Sequence, residues 1–583
     1  MKKTLLIALF CAAAGALAPS ARAQFTLLSN ISANQGNGTS AGEIVAFDSV
    51  TDRLFVTSSG SGVHQINVFN MADPSNISAN STINFSTTFG GNSTNMLGLS
   101  SVAVNSAKGF GVASLIPTAN TTTLGKVGFF NLSTGASIGT LDVGYHPDSV
   151  TFSPDGTKLV VVNEGEFNAS SGTNAPGSIS IINVSAITNS NIGNATQTTL
   201  DGLGKVTTDF TAGNLSGNAS LSGIRNSNIA AVGTSGNFTN TVPDFTNVAN
   251  QDPNAIEPEY ASVVGDKVYV SLQDNNAMGE YDLTTDKWTK ITNLGTITQT
   301  IDANDTGSPT ISITQSVKGL PMPDTVATYT SAGKTYIVTA NEGDARVDDR
   351  DKSRFGDVSG GDSMNGIVDT DAPSNFLNTG NNTNNGLRSD AQLGRLEVSR
   401  LDGDTDGDGK IDAPTMMGTR SFSIWEVTES GLALAYDSGS GFEQKIAEVG
   451  GFVNNRSDEK GPEPEGVVLG EINGSMYAFI GMERTNHIFM YDISDPTNAV
   501  FAGVTRISSG NIPARPEGMT FVSASDSPNG QNLLIVGFEG DGTASTERIA
   551  VYSVIPEPST YALFALAALG LGWHLRRKIR LQS

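Results

Sequence analysis

The chain has 583 residues, 58 acidic against 34 basic, a formal net charge of −24, 65 glycines and a single cysteine. Nucleic acid is excluded as a partner, because phosphate binding needs clustered Lys and Arg, and the 16% of charged residues is too low for a disordered acidic tail. A soluble, turn-rich, acidic protein remains, for which calcium or a cationic surface is the natural counterpart, although an acidic surface also serves simply to keep an exported protein in solution.

Residues 1–23 carry Lys2 and Lys3, the apolar run LLIALFCAAAGALA and the small-residue site Ala21-Arg22-Ala23 before Gln24. A basic start, an apolar centre and a small-residue cleavage site read as a secretory signal peptide, removed by signal peptidase. Cys11 lies inside it, so the exported chain is expected to have no disulfide, thiolate ligand or cysteine nucleophile.

From Gln24 to about Ile555, short apolar and β-branched runs alternate with Gly, Asn, Asp and Ser, with no long amphipathic helix pattern. All-β is the expected class. Seven units can be laid out, with first strands EIVAF, SVAVN, SVTFS, YASVV, TVATY, GVVLG and GMTFV. That repetition predicts a seven-bladed β-propeller over 24–555. FTLLSNI at 25–31 is expected to close the ring by joining the last blade, which shows only three strands of its own. A pair of large β-sandwiches is the alternative, against which the repetition argues. Two insertions lengthen the chain, one at about 188–254 expected as surface loops, the other at about 345–418 inside the fifth unit.

Five units begin with a proline followed by an acid, and their second strand ends in another acid. The pairs are Asp148 with Glu164, Glu259 with Asp274, Asp324 with Glu342, Glu465 with Glu483, and Glu517 with Glu539. In an antiparallel hairpin the start of one strand lies beside the end of the next, so these acids should gather near one mouth of the central channel. Crowded carboxylates raise one another's pKa or demand a counter-cation. A metal or ligand site is one answer; Arg346, Arg484 and Arg515, neighbours in sequence, are the other. His146, directly before Pro147, is the candidate general base, with a plain loop histidine as the alternative.

Asp404, Asp406 and Asp408 fall at positions 1, 3 and 5 of a calcium loop, with Gly409 at the turn, Ile411 at the apolar position and Asp412 at the ninth. Thr415 stands at position 12, where a bidentate Glu is expected, and Pro414 discourages an exit helix, so a lone calcium-stapled loop is expected rather than an EF-hand pair. A solvated acidic turn is the alternative.

HPDSVTFSPDGTKLVVVNEGE, MPDTVATY, TANEGDAR, SFSIWEV, RSDEKGPEPEGV and RPEGMTFV together resemble the choice-of-anchor I domain family over nearly the whole exported region. The resemblance implies a propeller of the YVTN and WD-repeat kind on exported or surface bacterial proteins, related to a mesenchyme-specific cell-surface glycoprotein and often labelled alkaline phosphatase-like. It also implies that the acids above, with Arg346, line a site. Pro556-Glu557-Pro558, the apolar run from Tyr561 to Leu575 and Arg576-Arg577-Lys578 resemble the PEP-CTERM sorting signal over 556–583. That signal implies an exosortase-type sorting enzyme, a Gram-negative cell surface or extracellular matrix rich in exopolysaccharide, and a C-terminal hydrophobic helix held transiently in the inner membrane. The run is short for a full crossing, and its arginines favour the cytoplasmic side.

Two functions fit these residues. One is a surface-displayed propeller that binds metal, calcium or another divalent ion, and presents a ligand at its channel mouth. The other is a metal-dependent, alkaline phosphatase-like phosphoesterase; no G-x-S-x-G elbow or P-loop supports an enzyme.

Overall fold

The chain folds into successive antiparallel sheets, seen in a computed structural model that describes residues 24–555 apart from 36–39, 61, 227–240, 307–309, 347–348, 357–366, 369–386, 508–513 and 542–545. Sheet 1 is built from Ser40–Asp48, Arg53–Gly60, Val63–Asn70 and Ser78–Asn84. Sheet 2 comprises Val102–Asn105, Phe110–Pro117, Lys126–Asn131 and Ser137–Asp142, extended by Met96–Gly98. Pro147–Phe152, Lys158–Asn163, Ser178–Asn183 and Lys205–Asp209 form sheet 3, and Pro258–Val264, Lys267–Leu272, Ala277–Asp282 and Lys287–Asn293 form sheet 4. Sheet 5 is Val326–Ser331, Lys334–Asn341, Ser421–Thr428 and Gly431–Asp437; sheet 6 is Pro464–Ile472, Ser475–Met482, His487–Asp492 and Val500–Arg506. Sheet 7 takes Pro516–Val522, Leu533–Phe538 and Arg548–Ile555, and its fourth strand is the N-terminal Gln24–Ser32.

All seven expected first-strand strings lie within or overlap the innermost strands, because each is a β-branched or aromatic run bounded by turn residues. The closing strand pairs antiparallel with the last one, Gln24 opposite Ile555 and Phe25 opposite Val554. Each sheet is apolar on both faces, and a separate buried cluster fills each junction between successive sheets. Phe55 and Phe130 join sheets 1 and 2, Phe129 and Val161 join 2 and 3, and Val162 and Tyr281 join 3 and 4. Tyr269 and Trp425 join 4 and 5, Phe422 and Tyr491 join 5 and 6, Phe479 and Tyr552 join 6 and 7, and Leu54 and Ile535 join 7 back to 1. The sheets thus follow one another around an axis in a propeller-like arrangement, and six inner strands, with Thr325 just before the inner strand of sheet 5, line one cavity of about 340 Å³.

Two segments differ from the sequence-based expectation. Part of the stretch read as surface loop, 188–254, supplies Lys205–Asp209, the outer strand of sheet 3. It escapes a pattern search because an outer strand exposes one face and here alternates weakly. The long insertion of the fifth unit is more than loop: Phe355, Leu393, Leu396, Val398 and Ile411 bury a small core with Ile301 and Val317. A ribbon of Lys352–Arg354 with Glu397–Ser399, and Thr415–Met417 paired parallel with Gln315–Leu320, frame it. A nine-residue helix, Gly441–Val449, follows sheet 5. Among the described residues no helix is long and apolar enough to cross a membrane. The expected signal peptide, residues 1–23, and the C-terminal segment with Pro556, Glu557, Pro558, Arg576, Arg577 and Lys578 lie outside the described residues.

Candidate functional site

The inner strands begin with an irregularity that aims their acids. In sheets 3, 4, 6 and 7 the ladder shifts register between Pro147 and Val150, Pro258 and Ala261, Pro464 and Val467, and Pro516 and Met519. Each shift is a bulge that contains Asp148, Glu259, Glu465 or Glu517, and a bulge frees a residue from the ladder and turns its side chain. The residue before the proline is left-handed in four units: His146 (φ 43°), Met322 (42°), Glu463 (54°) and Arg515 (51°). A non-glycine held there costs of order 1–3 kcal/mol, so the surrounding packing must impose the geometry.

Glycine after the acid brings neighbouring strands close. A Cβ on Gly466 would lie 2.2 Å from the Glu517 carbonyl oxygen, and one on Gly518 would lie 2.5 Å from that of Glu43. Glu465, Glu517 and Glu43 therefore follow one another across sheets 6, 7 and 1. Glu43 adds an acid from the first unit, which the five Pro-acid pairs do not include. It heads EIVAF without a preceding proline, which is why the Pro-acid pattern passes over it. In sheet 2 the equivalent place belongs to Ser100, whose hydroxyl donates to the Asp148 carbonyl at 2.6 Å.

The acids gather in two tiers. At the ends of the second strands, basic groups answer them. Glu342 accepts from Lys460 Nζ at 2.7 Å and from Gln273 Nε2 at 3.0 Å. Arg484 pairs with Glu483 and, at 3.0 Å, with Glu463. Arg515 donates to Glu539 at 3.0 Å. Arg346 is buried with its guanidinium 4.0 Å over the Phe167 ring. Burial works against ionisation of Glu463, yet Lys460, Arg484 and Arg456 outweigh it and hold its carboxyl below the usual range. Lys460 and Glu463, in the string KGPEPEGV, are members of the site that the Pro-acid pattern did not select.

The inner-strand tier is different. Among the described residues, Glu43, Glu259, Asp324, Glu465 and Glu517 make no ion pair with a basic group. Burial first, then Asp148 and Glu539, pushes Glu43 up to about 8. Burial and acidic neighbours likewise raise Glu259, Asp324, Glu465 and Glu517 well above the carboxylate range. One oxygen of Glu465, Oε2, is buried with no hydrogen-bond partner. Tyr260 lines the axial cavity, and its hydroxyl is raised by burial and then by Asp324, Asp148, Glu517 and Glu43 of four different sheets. It marks where the inner tier converges.

Three groupings place carboxylate oxygens within 4.8 Å of one another: Asp148, Glu164 and Glu259; Asp324, Glu342 and Glu465; and Glu342, Glu463 and Glu483. Beside the first, a pocket of about 270 Å³ is lined by Glu164, Glu259, Asp274 and Asp344 together with Phe167 and Arg346. Asp274 joins it from the turn after its strand, and Gln273 takes the hairpin position expected for an acid. His146 Nδ1 stands 2.9 Å from Glu166 and 3.1 Å from Glu164. Burial disfavours its charge, but Glu164, Glu166 and Asp148 prevail and push its pKa up to about 9. The surrounding carboxylates therefore favour the protonated ring.

In the insertion of the fifth unit, Asp404, Asp406 and Asp412 form a fourth grouping. Asp404 accepts from the amides of Gly407 and Gly409 at 2.7 and 2.8 Å, and Asp412 from that of Thr405 at 2.7 Å. The loop is held by Ile411, fully buried in the insertion core. Asp408 does not join the three, and its carboxylate accepts from the Lys410 amide at 2.8 Å.

Comparison with known proteins gives a family and a motif. The choice-of-anchor I domain matches residues 43–496, and the PEP-CTERM protein-sorting motif matches 554–578. A mesenchyme-specific cell surface glycoprotein of Strongylocentrotus purpuratus is 26% identical over 229 residues, 34% of this chain and 29% of that protein. Gigasin-3a of Magallana gigas is 26% identical over 202 residues, 30% of this chain and 70% of that one. The chain therefore spans under a third of the length of the sea-urchin relative. The WD40 domain of Toxoplasma gondii coronin aligns with a TM-score of 0.40 at 8% identity, covering 93% of this chain and 86% of the other.

Proposed function

The chain belongs to the choice-of-anchor I domain family and carries the PEP-CTERM motif of exported, surface-sorted Gram-negative proteins, and from that premise we propose that it displays a seven-bladed propeller whose acidic channel mouth binds divalent cations, calcium foremost. The carrying observation is the inner tier: carboxylates from five sheets that make no ion pair among the described residues, one with a buried oxygen lacking any hydrogen bond. Hard, crowded carboxylate oxygens are what calcium selects, and a bound ion would remove the repulsion that now raises these groups. The Asp404 to Asp412 loop is a second, weaker calcium position on this reading, since three of its four expected carboxylates converge and backbone amides orient two of them.

The sorting motif calls for an exosortase-type enzyme. On our reading the apolar segment after Pro558 holds the protein transiently in the inner membrane until that enzyme acts, and the released body joins the surface matrix. The last strand of sheet 7 ends at Ile555, inside the motif that begins at 554, so the folded body reaches the processing site without a linker.

Arg346 beside the Glu164, Glu259 and Asp274 pocket favours a second reading, a metal-dependent phosphoesterase, because cations and an arginine together clamp a phosphoryl group. One experiment separates the two. Metal analysis and calcium calorimetry on the purified protein are followed by a phosphomonoester assay with and without chelator. Calcium binding without turnover supports the binding module. Turnover that chelation removes and calcium restores establishes the enzyme, and absence of any divalent binding defeats both.

A further inference from the structure

Resting on the reading that the carboxylates at the inner-strand starts hold a cation, we infer that Lys460 sets the charge of the ion they accept, matching the site to a divalent ion and against a trivalent one. Glu342 belongs to two carboxylate groupings, one with Asp324 and Glu465, the other with Glu463 and Glu483. The second is already neutralised by side chains, since Glu463 accepts from Arg456 and Arg484, and Arg484 also meets Glu483. Among the described residues no arginine lies within ion-pair distance of a member of the first. Among the described residues, its one ion pair is that of Glu342 with Lys460.

The position of the ammonium is what matters. Lys460 Nζ donates to Glu342 Oε1 and to the Gly343 carbonyl, both at 2.7 Å, and lies 3.5 Å from Glu463 and 3.8 Å from Asp344. It makes no ion pair with Asp324 or Glu465, so it trims the charge of the grouping from its flank without filling the space between the oxygens. Gln273 Nε2 fixes the other Glu342 oxygen at 3.0 Å, which keeps that carboxylate from swinging wholly to the lysine. The buried Oε2 of Glu465, with no hydrogen-bond partner, is the donor atom left to an ion. Three carboxylates with Lys460 at one edge, its charge shared with Glu463 and Asp344, leave about two negative charges, the charge of calcium reversed. Without the ammonium there are three, which rewards a trivalent ion.

The test uses the full protein with Ca2+ followed by calorimetry and Tb3+, an ion of similar size, followed by its luminescence through nearby tyrosine, Tyr260 being at hand in the cavity. Lys460→Met and Lys460→Gln are each expected to raise the ratio of Tb3+ to Ca2+ affinity by about tenfold or more, as one unit charge at contact range in a partly buried site demands. Lys460→Arg, which keeps the charge, is expected to hold the ratio within about twofold. An unchanged ratio in the Met and Gln variants overturns the inference and leaves the cation site standing. Loss of both ions in those two variants, with the Arg variant binding normally, also overturns it, because the lysine would then be a structural prop. If the unaltered protein binds neither ion, the site reading itself falls.

Discussion

Two acidic regions of this protein look alike in sequence and behave oppositely in structure. The Asp404 to Asp412 loop concentrates its carboxylates within nine positions, and its own backbone amides satisfy them at 2.7 to 2.8 Å. The inner-strand acids come from distant parts of the chain, one per sheet. Because neighbouring sheets bury them together without a basic partner, their pKa values rise, Glu43 to about 8. A compact motif thus makes an exposed, self-satisfied turn, whereas a dispersed pattern makes the electrostatically unfinished site. Carboxylates converge in both regions, and what sets the inner tier apart is burial without a basic partner.

The sharpest break of that contrast is calcium-dependent stability. Calcium at about a hundred times its dissociation constant is expected to stabilise the protein by about 2.7 kcal/mol. Glu465→Gln combined with Glu517→Gln should abolish that gain while raising stability in chelator, as scanning calorimetry would record. Should an Asp404→Asn, Asp406→Asn variant abolish it instead, the loop is the principal site and the contrast is inverted.

Close approach of the strands supplies the next test. Gly466→Ala drives a methyl group to 2.2 Å from the Glu517 carbonyl, and overpacking of this kind costs about 1–3 kcal/mol. Denaturant unfolding should show that loss together with weaker calcium binding, because sheets 6 and 7 must part at their acids. Normal stability and affinity would mean that the spacing is slack.

The effect of pH follows from the raised carboxyls. Glu43 and Glu164, both pushed from 4.5 to about 8, bind protons in the folded state that the unfolded chain has lost. Their stabilising contribution is complete below pH 4.5 and drains away as pH rises to 8. In chelator the melting temperature should therefore fall from pH 5 to pH 8, and calcium should recover more of it at pH 8 than at pH 5. A flat profile in chelator would show the inner acids to be already compensated. Smallest of all, Asp404→Asn alone should shift stability by no more than about 0.5 kcal/mol, since its side chain serves an exposed turn.

Much of the fold could be read directly from the chain. Short β-branched strings such as SVTFS and GMTFV lie at the inner strands, and the unpartnered FTLLSNI pairs with the last strand. Reading stopped where partners are chosen across the ring. The outer strand Lys205–Asp209 lay hidden in a polar stretch because its stabilisation comes from one neighbour rather than from its own pattern. Glu43 lacked the proline that marked the other acids, and Lys460 stood in the string RSDEKGPEPEGV with no role of its own until Glu342 was placed 2.7 Å from it.

Alternation and turn chemistry act over a few residues, so the amino-acid order alone determined the β class, the repeated unit, the Pro-acid starts of five inner strands and the terminal sorting motif. Which acids would meet, and which would find an arginine or lysine, depended on sheets packing edge to edge around an axis. Coulomb interaction and burial are set by distance in space, and only the tertiary structure decided that Glu465, Glu517 and Glu43 stand side by side with no base among them.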